Sequence, residues 1–216
     1  MNSKILVFDF DGTIADSYDT FVTIINRLAP EFGYKPVSEE KLKQLRHLDS
    51  QQIIKQSEVS LFKVPSLLRR VKKEMAQEIH NVVPIRGMEA ALMEIKEQGN
   101  TLGILTSNTE KNVVAFLQNH QLEHIFDFIY PGISLFGKDR IINKLIRKHK
   151  LLRETMIYVG DETRDIDAAK KSQIQVIAVG WGFNAPEILK QHQPDFLINN
   201  PSQLQNVITN SCARVS

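Results

Sequence analysis

Along most of this chain short apolar, β-branched runs alternate with amphipathic stretches. The runs Ile5 to Phe8, Leu102 to Leu105, Phe126 to Tyr130, Met156 to Val159, Val176 to Val179 and Phe196 to Ile198 predict strands. Between them apolar residues recur with a 3.6 period, as in Met88, Ala91, Leu92 and Ile95, then Val113, Phe116 and Leu117, then Ile141, Ile142, Leu145 and Ile146. That spacing puts each set on one side of a helix. Strand and helix in regular alternation predict an α/β fold, a doubly wound parallel sheet with helices on both faces, whose site lies in the loops at the strand C-termini.

One segment breaks the alternation. From Asp16 to Val83 only helical stripes occur: Phe21, Ile24, Ile25 and Leu28; Leu42 and Leu45; Ile53 and Ile54; Val64, Leu67, Leu68, Val71 and Met75. The 216 residues therefore divide into a discontinuous core, 1–15 plus 84–216, and a helical insertion over 16–83. Charge follows the same division. Of 27 Lys and Arg and 25 Asp and Glu, the insertion carries 11 and 9 and the core 16 and 16, so the formal +2 resides in the insertion. The basic runs Arg69 to Lys73 and Arg147 to Lys150 read as solvated helix faces.

So even a balance is not that of a nucleic-acid binder. Hydrophobic residues at 42% and charged residues at 24% exclude disorder and low-complexity architectures. The single cysteine, Cys212, forms no intrachain disulfide, in keeping with a reducing compartment, and the expected location is cytoplasmic. The first apolar run ends at Asp9, too short for a signal or a spanning helix, and no membrane partner is expected.

The candidate chemistry sits where predicted strands stop. Asp9-Phe10-Asp11-Gly12-Thr13 follows the first strand, and in an extended segment residues i and i+2 project to one side, so both carboxylates face one point. Two such acids repel each other unless one is protonated or a cation lies between them, and a hard oxygen-seeking ion, Mg²⁺, suits the pair. The alternative is a turn in which Asp and Gly act only as turn formers. Gly160-Asp161-Glu162-Thr163-Arg164-Asp165 follows the fourth strand, at the same sheet edge, and offers Asp161 and Asp165 to complete the oxygen cage of Asp9 and Asp11. Asp165 and Asp167 also read as acids complementing the dipole of a following helix. Thr106-Ser107-Asn108-Thr109 offers hydroxyls and amides to a phosphate, or simply a helix N-cap. Lys138, after Gly137, offers a cation to the same phosphate.

These four loops together resemble the haloacid dehalogenase superfamily, specifically its phosphoglycolate-phosphatase-like branch. The likeness runs along essentially the whole chain. Its first motif matches Asp9 to Thr13, its second Thr106, its third Lys138 and its fourth Gly160-Asp161 through Asp165. Lys138 is followed by Asp139 where such phosphatases commonly carry proline, and Glu162 and Arg164 stand where small or amide residues are frequent. The resemblance implies a Rossmann-like core, a helical cap over 16–83, and a hinge at Pro84-Ile85-Arg86-Gly87-Met88. It implies Asp9 as nucleophile forming an aspartyl-phosphate, Asp11 as general acid and base, and Thr106 and Lys138 holding the transferring oxygens. It implies Gly12, Ser107 and Asn108 as further phosphate contacts. Mg²⁺ is implied between Asp9, the main-chain carbonyl of Asp11 and Asp161, with Asp165 at the metal or orienting Lys138. The expected substrate is a small phosphorylated metabolite.

Other readings share these residues. A phosphomutase uses the same motifs; a phosphonatase adds a cap lysine, for which Lys55 or Lys63 can be proposed; halide displacement is disfavoured by the presence of Asp11. A phospho-accepting receiver has a similar acidic pair but no helical insertion, and a catalytically quiet scaffold has the fold alone. Arg46 and His47 in the insertion are candidates for meeting an anionic substrate, and Trp181 is expected to pack a loop. His80, His120, His124, His149 and His192 show no metal-site spacing, and either a monomer or a homodimer fits the chain.

Overall fold

Six parallel strands make one sheet in the order β3-β2-β1-β4-β5-β6: β1 Ile5–Phe8, β2 Thr101–Leu105, β3 Phe128–Tyr130, β4 Met156–Gly160, β5 Gln175–Val179 and β6 Phe196–Ile198. The computed structural model describes residues 3–57, 59–60, 62–131 and 137–211; Cys212 lies outside them. Side chains alternate across the sheet. Leu6, Phe8, Ile157, Val159, Ile177 and Val179 enter one buried layer, and Val7, Met156, Tyr158, Val176 and Ala178 enter the other. Burial of both faces is why these strands read as continuous apolar runs. Each fully buried Leu, Ile or Phe contributes about 1.5–3 kcal/mol.

The helices α5 Met88–Glu97, α6 Glu110–Asn119 and α10 Leu204–Ser211 follow the sequence around the first layer, and α7 Lys138–His149, α8 Thr163–Lys171 and α9 Pro186–Gln191 around the second. Within 16–83 the chain forms α1 Tyr18–Phe32, α2 Glu39–Leu45, α3 Ser50–Gln56 and α4 Val64–Glu78. This insertion has its own apolar cluster of Ile24, Leu28, Val59, Leu67, Val71 and Met75. Arg27 and Arg70 pair with the nearly buried Glu74 at 2.5 and 2.8 Å beside it. The chain leaves and re-enters the core through two adjacent segments, tied by Asp16 N–H to the Val83 carbonyl (2.8 Å) and Ile85 N–H to the Ile14 carbonyl (2.9 Å).

Three predicted strands, β2, β4 and β5, gain one residue each, and one boundary moves further. The strand expected from Phe126 begins at Phe128, because Phe126 closes a 3₁₀ turn onto Glu123 and the Asp127 carboxylate accepts Leu102 N–H and the Lys96 ammonium. Among the described residues no helix is long and apolar enough to cross a membrane.

Candidate active site

Register assembles the site. Phe8 pairs with Ile104 on one side and with Val159 on the other, so the chain beyond each strand, Asp9, Thr106 and Asp161, emerges at one edge. There the order of the strands reverses about β1, the usual place for a ligand in an open α/β sheet.

Asp9 is buried, its Oδ1 accepting Phe10 N–H at 2.8 Å and its Oδ2 accepting Lys138 Nζ at 2.5 Å. Lys138 opens α7 after Gly137, whose φ of 108° only glycine adopts readily. Its ammonium also donates to Asp165 Oδ1 at 2.5 Å and lies 5.6 Å from the Tyr158 ring centroid. Burial pulls this lysine down, and the carboxylates of Asp165 and Asp9 outweigh it and raise it, so it is an ammonium at neutral pH. Asp165 Oδ2 accepts Glu162 N–H at 3.1 Å while the Glu162 carboxylate accepts Asp165 N–H, a reciprocal cap on α8. The two readings of Asp165 are therefore compatible: the helix cap orients the carboxylate that holds Lys138. Asp167 faces outward and pairs with His192 at 3.0 Å.

Asp161, fully buried, is held by the Thr13 hydroxyl at 2.7 Å and by Phe183 N–H at 2.7 Å, with no salt bridge to it among the described residues. Burial, then Glu162, Asp9 and Asp165, push its carboxyl well above the usual range. The carboxylates of Asp9, Asp161 and Asp165 lie within 4.8 Å of one another. Three hard oxygen donors, one without a counter-charge, fit a divalent cation.

The Asp11 carboxylate is not one of this trio; it accepts Asn108 Nδ2 at 3.0 and 3.3 Å. Burial first and Asp9 second raise it to about 6, against the bond from Asn108. Asn108 in turn accepts Thr109 N–H and Asn112 Nδ2, both at 2.8 Å, and donates its own N–H to the buried Thr106 hydroxyl at 3.0 Å. Ser107 is half-buried between them. Thr109 is the N-cap of α6, accepting Asn112 N–H, so the same tetrapeptide starts a helix and faces the acids.

Gly12 is required twice. Its φ is +75°, and a Cβ there would come within 2.4 Å of Asp161 Oδ2 and 2.5 Å of the Phe183 ring. Gly12→Ala is expected to cost about 2 kcal/mol or more in denaturant unfolding and to weaken metal binding by displacing Asp161.

A family model for haloacid dehalogenase-like hydrolases matches residues 6–179, a span that takes in every one of these acids. The chain belongs to this family. The hydrolase is 35% identical over 204 residues to a phosphoglycolate phosphatase of Synechococcus elongatus, covering 94% of this chain and 96% of that one. Its fold is that of a candidate phosphatase from Clostridium acetobutylicum (TM-score 0.82, 21% identity, 97% and 100% coverage) and of a candidate β-phosphoglucomutase from Thermotoga maritima (TM-score 0.67, 19% identity, 96% and 99% coverage). Family and relatives make it an enzyme of the phosphoric monoester hydrolase type.

Arg46 bonds to the segment after β5 that rests on Asp161. Its Nη2 donates to the Gly182 carbonyl at 2.8 Å and its guanidinium lies 5.3 Å from the Tyr18 ring centroid. His47 faces Glu187 at 3.9 Å, and the exposed Lys63 donates to the Phe32 carbonyl at 3.2 Å. Sequence reasoning missed Tyr158 beneath Lys138, the half-buried Arg164–Glu162 ion pair, and the segment from Gly182 to Ala185, which touches Asp161. The available signal was position: Gly180-Trp181-Gly182-Phe183-Asn184 follows β5 as the other site loops follow their strands. Trp181 packs as expected, and its indole N–H donates to the Thr13 carbonyl at 3.2 Å.

Proposed function

We propose that this enzyme is a Mg²⁺-dependent phosphatase of a small phosphorylated metabolite of the phosphoglycolate kind, acting through an aspartyl-phosphate on Asp9. The observation that supports it best is the pairing of two acids with different environments. Asp9 is salt-bridged to Lys138, and Asp11, two residues on, is raised to about 6. Asp9 would attack phosphorus, its second oxygen oriented by the Lys138 ammonium. Asp11, held by Asn108, would protonate the leaving alkoxide and then take a proton from the attacking water. Lys138 and the Thr106–Asn108 segment would hold the equatorial oxygens as charge shifts among them. A divalent cation held by Asp9, the main-chain carbonyl of Asp11 and Asp161, with Asp165 beside it, would neutralise charge between phosphate and nucleophile.

Residues 16–83 would serve as a cap that covers the substrate and excludes water, with 14–17 and 82–85 as its hinge. The curated relative's name supports phosphoglycolate itself as the first substrate to test. The deciding experiment is release of inorganic phosphate from a panel of phosphorylated metabolites, with Mg²⁺, with chelator, and with Mg²⁺ restored. Release is expected with Mg²⁺, to fall about 100-fold or more on chelation, and to return on readdition. Metal-independent turnover, or transfer of the phosphoryl group within the substrate without free phosphate, would contradict the proposal.

A further inference from the structure

The segment Gly182 to Ala185 belongs neither to the acidic trio nor to the helical insertion, yet it bonds to both. Toward the core, Phe183 N–H donates to Asp161 Oδ2 at 2.7 Å, Asn184 N–H to the Asp161 carbonyl at 3.3 Å, and Asn184 Oδ1 accepts Thr163 N–H, at the start of α8, at 2.9 Å. Gly182 rides directly on the same carboxylate, since a Cβ there would come within 2.2 Å of Asp161 Oδ2. Toward the insertion, Asn184 Nδ2 donates to the carbonyls of Leu48 (3.0 Å) and Arg46 (3.3 Å), and Ala185 N–H donates to the Arg46 carbonyl at 2.8 Å. The Arg46 guanidinium closes the circuit on the Gly182 carbonyl, and the Phe183 ring lies edge-on to Tyr18 and Phe21 of α1, each at 5.3 Å between centroids.

Asn184 is 4% exposed and divides its amide by side: the oxygen serves the core and the nitrogen serves the insertion. Unseating the insertion would strip both acceptors from that nitrogen and both aromatic neighbours from Phe183, whose N–H orients Asp161. Water would then reach that nitrogen, but the loop would have lost the bonds and ring contacts from the insertion that fix Phe183 N–H against Asp161.

We propose that Asn184 is a positioning residue that joins seating of the insertion and cation binding at Asp161 into one equilibrium. The cation is the one assumed in the phosphatase reading, and the coupling extends that reading to the question of what holds the cap down. Linkage makes the effect reciprocal: the cation favours the seated insertion by the factor by which seating tightens the cation.

The chain carries its own reporter. Trp181, its one tryptophan, lies in the same loop and bonds to Thr13, so its fluorescence reads the loop during titration of the full chain with Mg²⁺ alone. Limited trypsinolysis at Lys41, Lys43, Arg46 and Lys55 reads the insertion. In the wild type Mg²⁺ is expected to change the Trp181 signal saturably and to slow cleavage about fivefold or more. In Asn184→Ala the slowing should disappear, and half-saturation should rise by the same factor. Asn184→Asp keeps the acceptor for Thr163 N–H but sets a carboxylate against two carbonyls; it should fold with a melting temperature below that of the wild type and still lose the slowing, which decides the matter if the alanine variant does not fold. Wild-type slowing retained in either folded variant overturns the proposal. So does a wild type in which Mg²⁺ saturates the Trp181 signal without altering cleavage. A wild type that binds no Mg²⁺, by fluorescence and by calorimetry, overturns the metal reading itself, a distinct failure.

Discussion

Asp9→Asn is expected to lower phosphate release by about 10⁴-fold or more while leaving the protein folded. An amide is no nucleophile toward phosphorus, yet it has the shape of the carboxylate, and its oxygen still accepts Phe10 N–H. The Lys138 ammonium keeps Asp165 as a partner. Removing one of several crowded acids also relieves its neighbours, since Asp9 contributes to the upward shifts of Asp11, Asp161 and Asp165. The melting temperature should therefore stay within a few degrees of wild type, as about 1 kcal/mol or less separates the two. Full activity in a folded Asp9→Asn protein would rule out the covalent mechanism.

The legible parts of this molecule are those governed by neighbours in sequence. Alternation along β1, β4 and β5, and the Asp or Gly that follows them, are local, and all three strands form within one residue of where the pattern puts them. The start of β3 was illegible because the Asp127 carboxylate stops the turn before it through Leu102, a residue from another strand. Arg46 shows the same limit from the functional side. Its charge suggests an anion, but its partner is a main-chain carbonyl 136 positions away, a pairing created by the fold. Asp165 presented a choice between helix cap and site residue, and one carboxylate with two oxygens does both. Asn184 carries no sequence signal beyond its place after β5, because its importance lies in what α8 and the insertion place around it.

Lys138→Ala is expected to impair stability and activity together, and the way Mg²⁺ divides the two is the informative result. Without the ammonium, Asp9 and Asp165 stand buried with no counter-charge between them, and breaking such a pair costs about 3–5 kcal/mol. The metal-free variant has two ways to relieve this, protonation or a cation. Asp165 is already raised to about 6 by burial even with Lys138 beside it, and losing the lysine raises it further. A carboxyl whose folded value exceeds its unfolded one contributes stability below the unfolded value and loses it as pH rises, so metal-free Lys138→Ala should be more stable at pH 5 than at pH 7. The cation acts on the same deficit. Mg²⁺ should therefore raise the melting temperature of Lys138→Ala more than that of the wild type, where the ammonium already serves two of the three acids. Activity should not return with stability: at saturating Mg²⁺ turnover should remain about 10³-fold down, because the donor that holds the transferring oxygens is gone. Equal stabilisation of both proteins by Mg²⁺ would mean that the cation does not bind among Asp9, Asp161 and Asp165.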